Sequence, residues 1–428
     1  MQQPDRHPHR RRARARALAA GAAIALLAPL AACGSDEEAG TPVLNLYQFP
    51  VEKMQDVIDT CNSEANGAYK IVYQVLPRTA DDQRVQMVRR LAAKDDSMDI
   101  LGLDVTWTQE FASADWIKEW TGDAKAQVQN GTLPGPLASA TYDNKLYAAP
   151  NNTNVQLLWY RKDLVPNPPK TWDEMIQQSL ALKQQGKTYQ VLTMGAQYEG
   201  LVVLFNNLVA SANGHVVSDD GKTAVMDAGT VKALQIMKTF ATAGVTNPSF
   251  SNAIEDDVRL AFQSGGGAFQ LNWPYVYASM QSDAPDMLKN VGWARYPAID
   301  AGTPSVTTIG GSNLAVSAYS KHPDLAFQAA LCLRNAASQK YLAINSGQAP
   351  SIEAVYNEPE MTKAYPMKAT ILEELKNAAP RPRTPAYQNL STVVAAQLSP
   401  PDQIEPEPTA ASLKESIQDA IDSKGVLP

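Results

Sequence analysis

Beyond residue 42, apolar and polar positions alternate between the period of a strand and the period of a helix. The predicted order is strand 43–49, helix 53–64, strand 69–76, helix 81–94 and strand 98–103. The helices carry apolar residues at helical spacing, Met54, Val57, Ile58 and Cys61 in the first and Val85, Val88 and Leu91 in the second. This alternation predicts an α/β fold with a parallel sheet covered by helices. Ligands of such sheets lie beyond the carboxyl ends of strands, where the chain has Gln48, Pro50, Arg78 and Asp104.

A second series of alternating elements follows residue 155. Thr171 precedes a helical stretch and Glu174 follows three positions later, which is the spacing of a capping box at a helix start. The other predicted elements are strand 156–160, helices 199–213 and 230–242, strands 268–272 and 305–316, and a helical tail with proline breaks over 362–428. Two such series in one chain predict two α/β units.

A basic and then apolar leader precedes these elements. Arginines cluster between positions 6 and 16, an apolar run follows over 17–32, and small residues lead directly into Cys33. This order predicts a lipoprotein signal peptide over 1–32, lipid attachment at Cys33 and a flexible tether over 33–42. Acyl chains at Cys33 would anchor the exported protein to the outer face of the cell membrane. The alternatives are an ordinary secretory peptide with a chance cysteine, or a short membrane helix.

Composition and charge exclude several classes of fold, site and partner. An apolar fraction of 44% excludes wholesale disorder, and three cysteines exclude a disulfide-dense scaffold or a cysteine-rich zinc fold. Two of the four histidines lie in the leader, so we expect neither a metal centre nor a cofactor. Without residues 1–32 the chain keeps 31 basic against 43 acidic side chains. A surface this acidic repels nucleic acid, so nucleic acid is not an expected partner.

The two cysteines beyond the leader are candidates for a disulfide. Cys61 and Cys332 both lie in segments of helical pattern, and export would place them in a compartment that permits disulfides. Our hypothesis is that they pair. The alternative is two thiols that are buried separately.

Several stretches resemble the maltose-binding branch of the bacterial solute-binding proteins. They are LLWYRKDL at 157–164, PNPPKTWDE at 166–174, LNWP at 271–274 and IGGSNLAV at 309–316. Further segments are similar to the trehalose-binding lipoproteins of mycobacteria, namely residues 133–138, 145–150, 153–154 with 156–161, and 384–385 with 387–388. The resemblance covers essentially the whole chain after the leader and includes the positions of both cysteines.

The fold that this resemblance implies is a two-lobed clamshell of the periplasmic-binding-protein type II class. The chain would cross between the lobes three times, near residues 152–154, 303–307 and 348–351. The expected N-terminal lobe consists of residues 43–152 and 307–350, and the C-terminal lobe consists of residues 153–306 and 351–428. A bond between the cysteines would then lie within one lobe and leave the hinge free.

The resemblance also implies four polar ligand-binding residues. Asp104 and Asn154 would bind sugar hydroxyls, Glu255 would supply a second carboxylate, and Arg381 would make bidentate contacts. Each has a simpler interpretation, respectively a strand-end cap, a hinge turn, a helix start favoured by the helix dipole, and an exposed tail residue.

Two further positions complete the implied site. Trp273 would provide a stacking platform for the apolar face of a sugar, and Gly311 would offer its backbone where no side chain fits. Trp273 could instead belong to the core, and Gly311 could serve a bulge. The turn at residues 47–52 and the pair at 151–152 depart from the trehalose-binding pattern and leave the identity of the sugar open.

The implied function is capture of a disaccharide, expected to be trehalose, by hinge closure and its delivery to the permease subunits of an ABC importer. The protein would act as a monomer and not as an enzyme. The alternatives are maltose or another oligosaccharide as the ligand, a secreted glycosidase that uses Asp104 and Glu255, and an adhesive lipoprotein without a working pocket.

Overall fold

The structure is a computed structural model that describes residues 40–424. Its strands are β1 (Val43–Gln48), β2 (Lys70–Val75), β3 (Ile100–Asp104), β4 (Thr141–Tyr142), β5 (Lys145–Leu146), β6 (Ala149–Asn154), β7 (Leu157–Arg161), β8 (Val191–Leu192), β9 (Phe269–Asn272), β10 (Val291–Ala294) and β11 (Gly310–Val316).

The α-helices cover most of the remaining chain. They are α1 (Met54–Glu64), α2 (Ala80–Ala92), α3 (Thr108–Ser113), α4 (Gly122–Gln129), α5 (Pro134–Ser139), α6 (Trp172–Gln184), α7 (Glu199–Ser211), α8 (Ala228–Thr242), α9 (Glu255–Gln263), α10 (Tyr275–Asp283), α11 (Pro285–Leu288), α12 (Pro323–Leu333), α13 (Ala336–Ser346), α14 (Pro359–Ala364), α15 (Lys368–Asn377), α16 (Tyr387–Leu398) and α17 (Pro406–Ile421). Short 3-10 helices lie at Phe250–Asn252, Glu353–Asn357 and Pro401–Gln403.

The first sheet has the strand order β2-β1-β3-β11-β6. Strands β1, β2 and β3 are parallel, as the alternating sequence predicts. Strand β11 returns from far along the chain and pairs antiparallel with both β3 and β6, so the sheet is mixed. The parallel arrangement predicted for β1, β2 and β3 is therefore confirmed, and the complete sheet is mixed because a distant strand enters between β3 and β6. That strand begins at Gly310, five residues later than the pattern at 305–316 predicts.

The second sheet has the order β10-β7-β9-β8 and is also mixed. Strand β7 pairs antiparallel with β9 and β10, and only β8 runs parallel to β9. The chain passes to this sheet after β6, returns to the first sheet between β10 and β11, and leaves it again after α13. The described chain is thus a two-lobed mixed α/β fold with three crossings. We call the two parts the N lobe and the C lobe, after the first and the second sheet. The exact lobe boundaries expected from the sequence stay predictions.

Helix faces decide what each lobe buries. Helix α1 buries Met54, Val57, Ile58 and Cys61 as predicted, since these residues recur on one face. Helix α6 begins as predicted too, because the Thr171 hydroxyl accepts a hydrogen bond from the Glu174 amide at 3.1 Å. Helix α2 differs from the prediction: its buried residues are Gln83, Met87 and Leu91, whereas Val85 is 38% exposed.

A disulfide joins Cys61 of α1 to Cys332 of α12, with 5.9 Å between the two Cα atoms. The hypothesis that these cysteines pair is confirmed. Both helices pack on the same core beneath the first sheet, so the bond lies inside the N lobe.

The lipoprotein leader and Cys33 lie outside the described residues, so both stay predictions. Among residues 40–424, no helix is both long and apolar enough to cross a membrane.

Candidate functional site

A cleft with a cavity volume of about 530 Å³ is lined by elements that pack on both sheets. The N lobe contributes the ends of β1, β2 and β3, and the C lobe contributes the first turns of α7 and α9. All six residues that the sequence analysis singled out line this cleft: Asp104, Asn154, Glu255, Trp273, Gly311 and Arg381. Their juxtaposition is therefore a property of the fold, and their contact with a ligand remains a prediction.

Arg381 links the two lobes inside the cleft. The residue is 5% exposed, and its Nη2 donates to Asp104 Oδ1 at 2.8 Å, at the end of β3. Its Nη1 donates to Glu199 Oε1, at the start of α7. Burial alone would disfavour the charged guanidinium, but the two carboxylates outweigh burial and raise the pKa of Arg381. Arg381 is thus not an exposed tail residue, and a charged donor is fixed at the centre of the cleft.

Asp104 keeps an oxygen available to a ligand. Its Oδ1 accepts hydrogen bonds from the Thr106 amide at 3.0 Å and the Thr106 hydroxyl at 2.8 Å, in addition to Arg381. These bonds fix the carboxylate at the strand end, as a local cap would. The other oxygen, Oδ2, has no hydrogen-bond partner among the described residues, so the carboxylate can both cap the strand end and accept from a hydroxyl.

Glu199 is a buried acid that the sequence analysis missed. Its Oε1 accepts from the Tyr387 hydroxyl at 2.6 Å, and its Oε2 accepts from Ser391. Burial raises the pKa of the Glu199 carboxyl to about 7, although Arg381 opposes the shift. The signal was absent from the local sequence because its side-chain partners lie more than 180 positions away.

Glu255 and Trp273 form a second cluster on the C lobe. Glu255 is the first residue of α9, and its Oε2 accepts from the Tyr198 hydroxyl at 2.6 Å. Burial raises the pKa of Glu255, and the bond from Tyr198 opposes that shift. Trp273 follows β9 and is only partly buried, so it is not a core residue. A Cβ added at Gly310 would lie 3.0 Å from the Trp273 ring, so the indole rests on the backbone of β11.

Asn154 presents an unused polar group on the N-lobe side of the cleft. Its Oδ1 is buried and has no hydrogen-bond partner among the described residues. Asn152, two positions earlier, is satisfied: its Nδ2 donates to Gln348 Oε1 at 2.7 Å and its Oδ1 accepts from the Ser312 amide at 2.8 Å. Because an orphaned buried amide oxygen costs free energy, a donor supplied by a ligand would stabilise it.

The fold requires glycine at position 311 whether or not a ligand binds there. Gly311 has φ of +120°, and a Cβ there would lie 2.6 Å from the Asn152 carbonyl oxygen. The neighbouring strand β6 therefore excludes a side chain. Gly311 still lines the cleft, but its identity is explained by strand packing.

Charged groups at the rim of the cleft pair with one another. Arg78 of the N lobe forms an ion pair with Asp256 of α9. Arg259 donates from Nε to Asp256 Oδ1 at 3.2 Å and from Nη1 to Ser279 Oγ at 2.6 Å. The sequence analysis placed Arg78 beyond a strand end but had no signal for a partner in the other lobe. This pairing joins the N lobe to the C lobe among the residues that line the cleft. Among residues 40–424, no group of three or more His, Cys, Asp or Glu side chains is arranged to hold a metal ion.

Comparison of the sequence with known proteins identifies the family to which the chain belongs. The family model described as bacterial extracellular solute-binding protein matches residues 51–340. A probable ABC transporter-binding protein of Deinococcus radiodurans is 30% identical over 383 residues, which cover 85% of this chain and 88% of the relative. The galactooligosaccharide-binding protein of Bacillus subtilis is 23% identical over 304 residues, which cover 64% of this chain and 68% of the relative.

Solved structures share the same fold. The maltose-bound MalE3 protein of T. maritima matches with a TM-score of 0.80 and 28% identity, over 88% of this chain and 99% of that one. The GacH receptor of Streptomyces glaucescens, solved unliganded and with acarbose, matches with a TM-score of 0.78 over 90% of this chain and 100% of that one. Its identity is 19%, so that likeness shows the fold alone.

Proposed function

Because the chain belongs to the bacterial extracellular solute-binding proteins, which are binding proteins of ABC transporters and not enzymes, we propose that it captures a short glucose-containing oligosaccharide for import. The glycosidase considered from the sequence is set aside, since the family binds solutes. The observation that carries the sugar assignment is the composition of the cleft. Carboxylates, side-chain amides, guanidinium groups and a partly exposed indole line one cavity of about 530 Å³.

These groups suit the chemistry of a carbohydrate. Sugar hydroxyls donate and accept, and Asp104, Asn154, Glu255 and Arg381 together offer both acceptors and donors. The C–H face of a pyranose packs against an aromatic ring, which Trp273 provides. The maltose-bound relative at 28% identity supports a glucose-containing ligand. Trehalose is the specific sugar that we propose, with maltose as the alternative.

Binding would act by closing the two lobes on the ligand. Asp104 and Asn154 belong to the N-lobe sheet, whereas Glu255 and Trp273 belong to the C lobe. A sugar that contacts both sets stabilises the closed arrangement over an open one, because only the closed arrangement offers both sets at once. The permease subunits of an importer would then recognise the closed form. We further propose lipid anchoring at Cys33 on the outer face of the cell membrane, and action as a monomer.

The experiment is calorimetric titration of the chain from Gly34 onward with trehalose and with maltose. The compact unit that holds the cleft begins at Thr41. Saturable binding of either sugar supports the proposed function, and binding of trehalose alone supports the specific ligand. Absence of binding with both sugars would contradict trehalose and maltose as the ligand.

A matched pair of tryptophan variants tests where the sugar binds. Trp273→Ala is expected to weaken binding by about tenfold or more, since aromatic packing and apolar burial together contribute more than about 1.4 kcal/mol. Trp116 is also partly buried but lies outside the cleft, so Trp116→Ala is the control. Equal affinity in Trp273→Ala and Trp116→Ala would refute the stacking role.

A further inference from the structure

One end of the cleft is lined by apolar side chains of the N lobe. We call this surface the apolar wall, and it consists of Phe49, Pro50, Val51, Tyr73, Val75 and Ala80. Val75, at the end of β2, is 58% exposed, the most exposed of the large apolar residues described. Val75 therefore leaves apolar area open at the mouth of the binding cleft, and a ligand that covered it would bury that area.

Polar groups within the apolar wall already have hydrogen-bond partners within the protein. The Tyr73 hydroxyl donates to the Phe49 carbonyl oxygen at 2.5 Å and accepts from the Val51 amide at 3.1 Å. Pro50, between these two residues, has no amide hydrogen to offer. The wall-forming turn at 49–51 therefore directs two of its backbone polar groups to Tyr73 rather than to a ligand.

Several charged and hydroxyl groups at the rim near the apolar wall also form ion pairs or hydrogen bonds within the protein. Arg78, which follows β2, pairs with Asp256, and Arg259 pairs with Asp256 and Ser279. The Tyr275 hydroxyl donates to Asp256 at 3.3 Å. A hydroxyl-rich sugar unit at this end would exchange its bonds with water for few bonds with protein, which is unfavourable.

Unused hydrogen-bonding atoms lie elsewhere in the cleft. Asn154 Oδ1 and Arg381 Nε are buried without a partner among the described residues. Asp104 adds the oxygen that Arg381 and Thr106 leave unoccupied. The cleft therefore has a polar end with free buried groups and a predominantly apolar end, where the exposed carboxylate of Glu52 also lines the cleft. A ligand that matches both ends is amphipathic.

We infer that the cleft also takes glucosides with an apolar aglycone, the sugar at the polar end and the aglycone against the apolar wall. This inference rests on the proposed function and adds a class of ligand to it. The turn at 47–52, which departs from the trehalose-binding pattern, forms part of the wall. An aryl group fits the lining because flat apolar rings pack well against Phe49 and the exposed side chain of Val75.

The test compares phenyl α-glucoside with methyl α-glucoside by calorimetry on the chain from Gly34 onward. Both share the sugar and differ only in the aglycone. The phenyl compound is expected to bind about tenfold or more tightly, because it buries several more carbon atoms against the wall. Trehalose and maltose are titrated in parallel.

Two exposed valines provide matched variants. Val75→Ser is expected to reduce the phenyl-to-methyl affinity ratio by about threefold or more, because it removes apolar contact area within the wall. Val85→Ser changes an exposed valine of α2 outside the cleft and is expected to leave both affinities unchanged. Phe49→Ala provides a second variant in the wall itself and is expected to lower the same ratio.

The outcomes separate this inference from the proposed function. If trehalose or maltose binds but the phenyl compound is no tighter than the methyl compound, the inference is wrong and the proposed function stands. If the phenyl preference persists in both Val75→Ser and Phe49→Ala, the aglycone lies elsewhere and the inference is wrong. If none of the four sugars binds, both are overturned.

Discussion

The buried carboxyl of Glu199 should make the stability of the protein depend on pH. Burial raises its pKa from 4.5 to about 7. Between these values the native state keeps a proton that the unfolded chain releases, so the free energy of unfolding falls as the pH rises. At about 1.4 kcal/mol per pH unit, this loss amounts to about 3 kcal/mol between pH 4.5 and pH 7. Below pH 4.5 the contribution is fully present, and above pH 7 it is absent.

Glu199→Gln isolates this effect because glutamine keeps the shape of the side chain but does not titrate. The free energy of unfolding of the variant relative to the unchanged protein should rise by about 3 kcal/mol between pH 4.5 and pH 8. Any constant cost of the substitution cancels, since only the change with pH is compared. Urea unfolding without sugar, followed by tryptophan fluorescence at several pH values, measures it. Glu415→Gln removes a charge from an exposed glutamate of α17 and serves as the control. Parallel pH profiles for Glu199→Gln and the unchanged protein would refute the reasoning.

Three further predictions follow from single features of the fold. Arg78→Ala, which removes the exposed rim ion pair, should weaken sugar binding by no more than about fivefold in calorimetry, since such pairs contribute about 0–1 kcal/mol; a larger loss would mean that Arg78 contacts the ligand. Gly311→Ala should lower the urea midpoint far more than Gly302→Ala, because both have positive φ but only Gly311 faces backbone at 2.6 Å; equal losses would place the whole cost in the backbone angle. Replacing Cys61 and Cys332 together by Ala should cost about 2–5 kcal/mol in urea unfolding, and two free thiols found in the unfolded, unreduced protein would contradict the bond.

Local sequence signals predicted elements well where the signal and the packing coincide. The face of α1 and the Thr171 cap of α6 depend on residues a few positions apart, so the sequence contains all of the information. Helix α2 shows the limit of this approach. Its apolar Val85 stays exposed and the polar Gln83 is buried, because the position of the helix on the sheet decides which side is covered.

Prediction of the site residues from the sequence had the same limit. Resemblance to a known family selected six residues, and the fold places them around one cleft. It did not select Glu199, Tyr198 or Tyr387, whose roles are to position other groups. Such residues leave no local motif, because each is defined by a partner that folding brings from another part of the chain.

By itself, the sequence of this protein determined the order of strands and helices, the acidic surface after the leader, and the two cysteines available for pairing. These properties depend on residue type and short spacing. The tertiary structure decided that β11 enters the first sheet between β3 and β6, that Arg381 joins Asp104 to Glu199 across the cleft, and that one end of the cleft is apolar. The strand insertion and the Arg381 bonds require contacts between residues more than a hundred positions apart, which only folding brings together. The apolar end forms where β1, β2 and the start of α2 meet at the cleft.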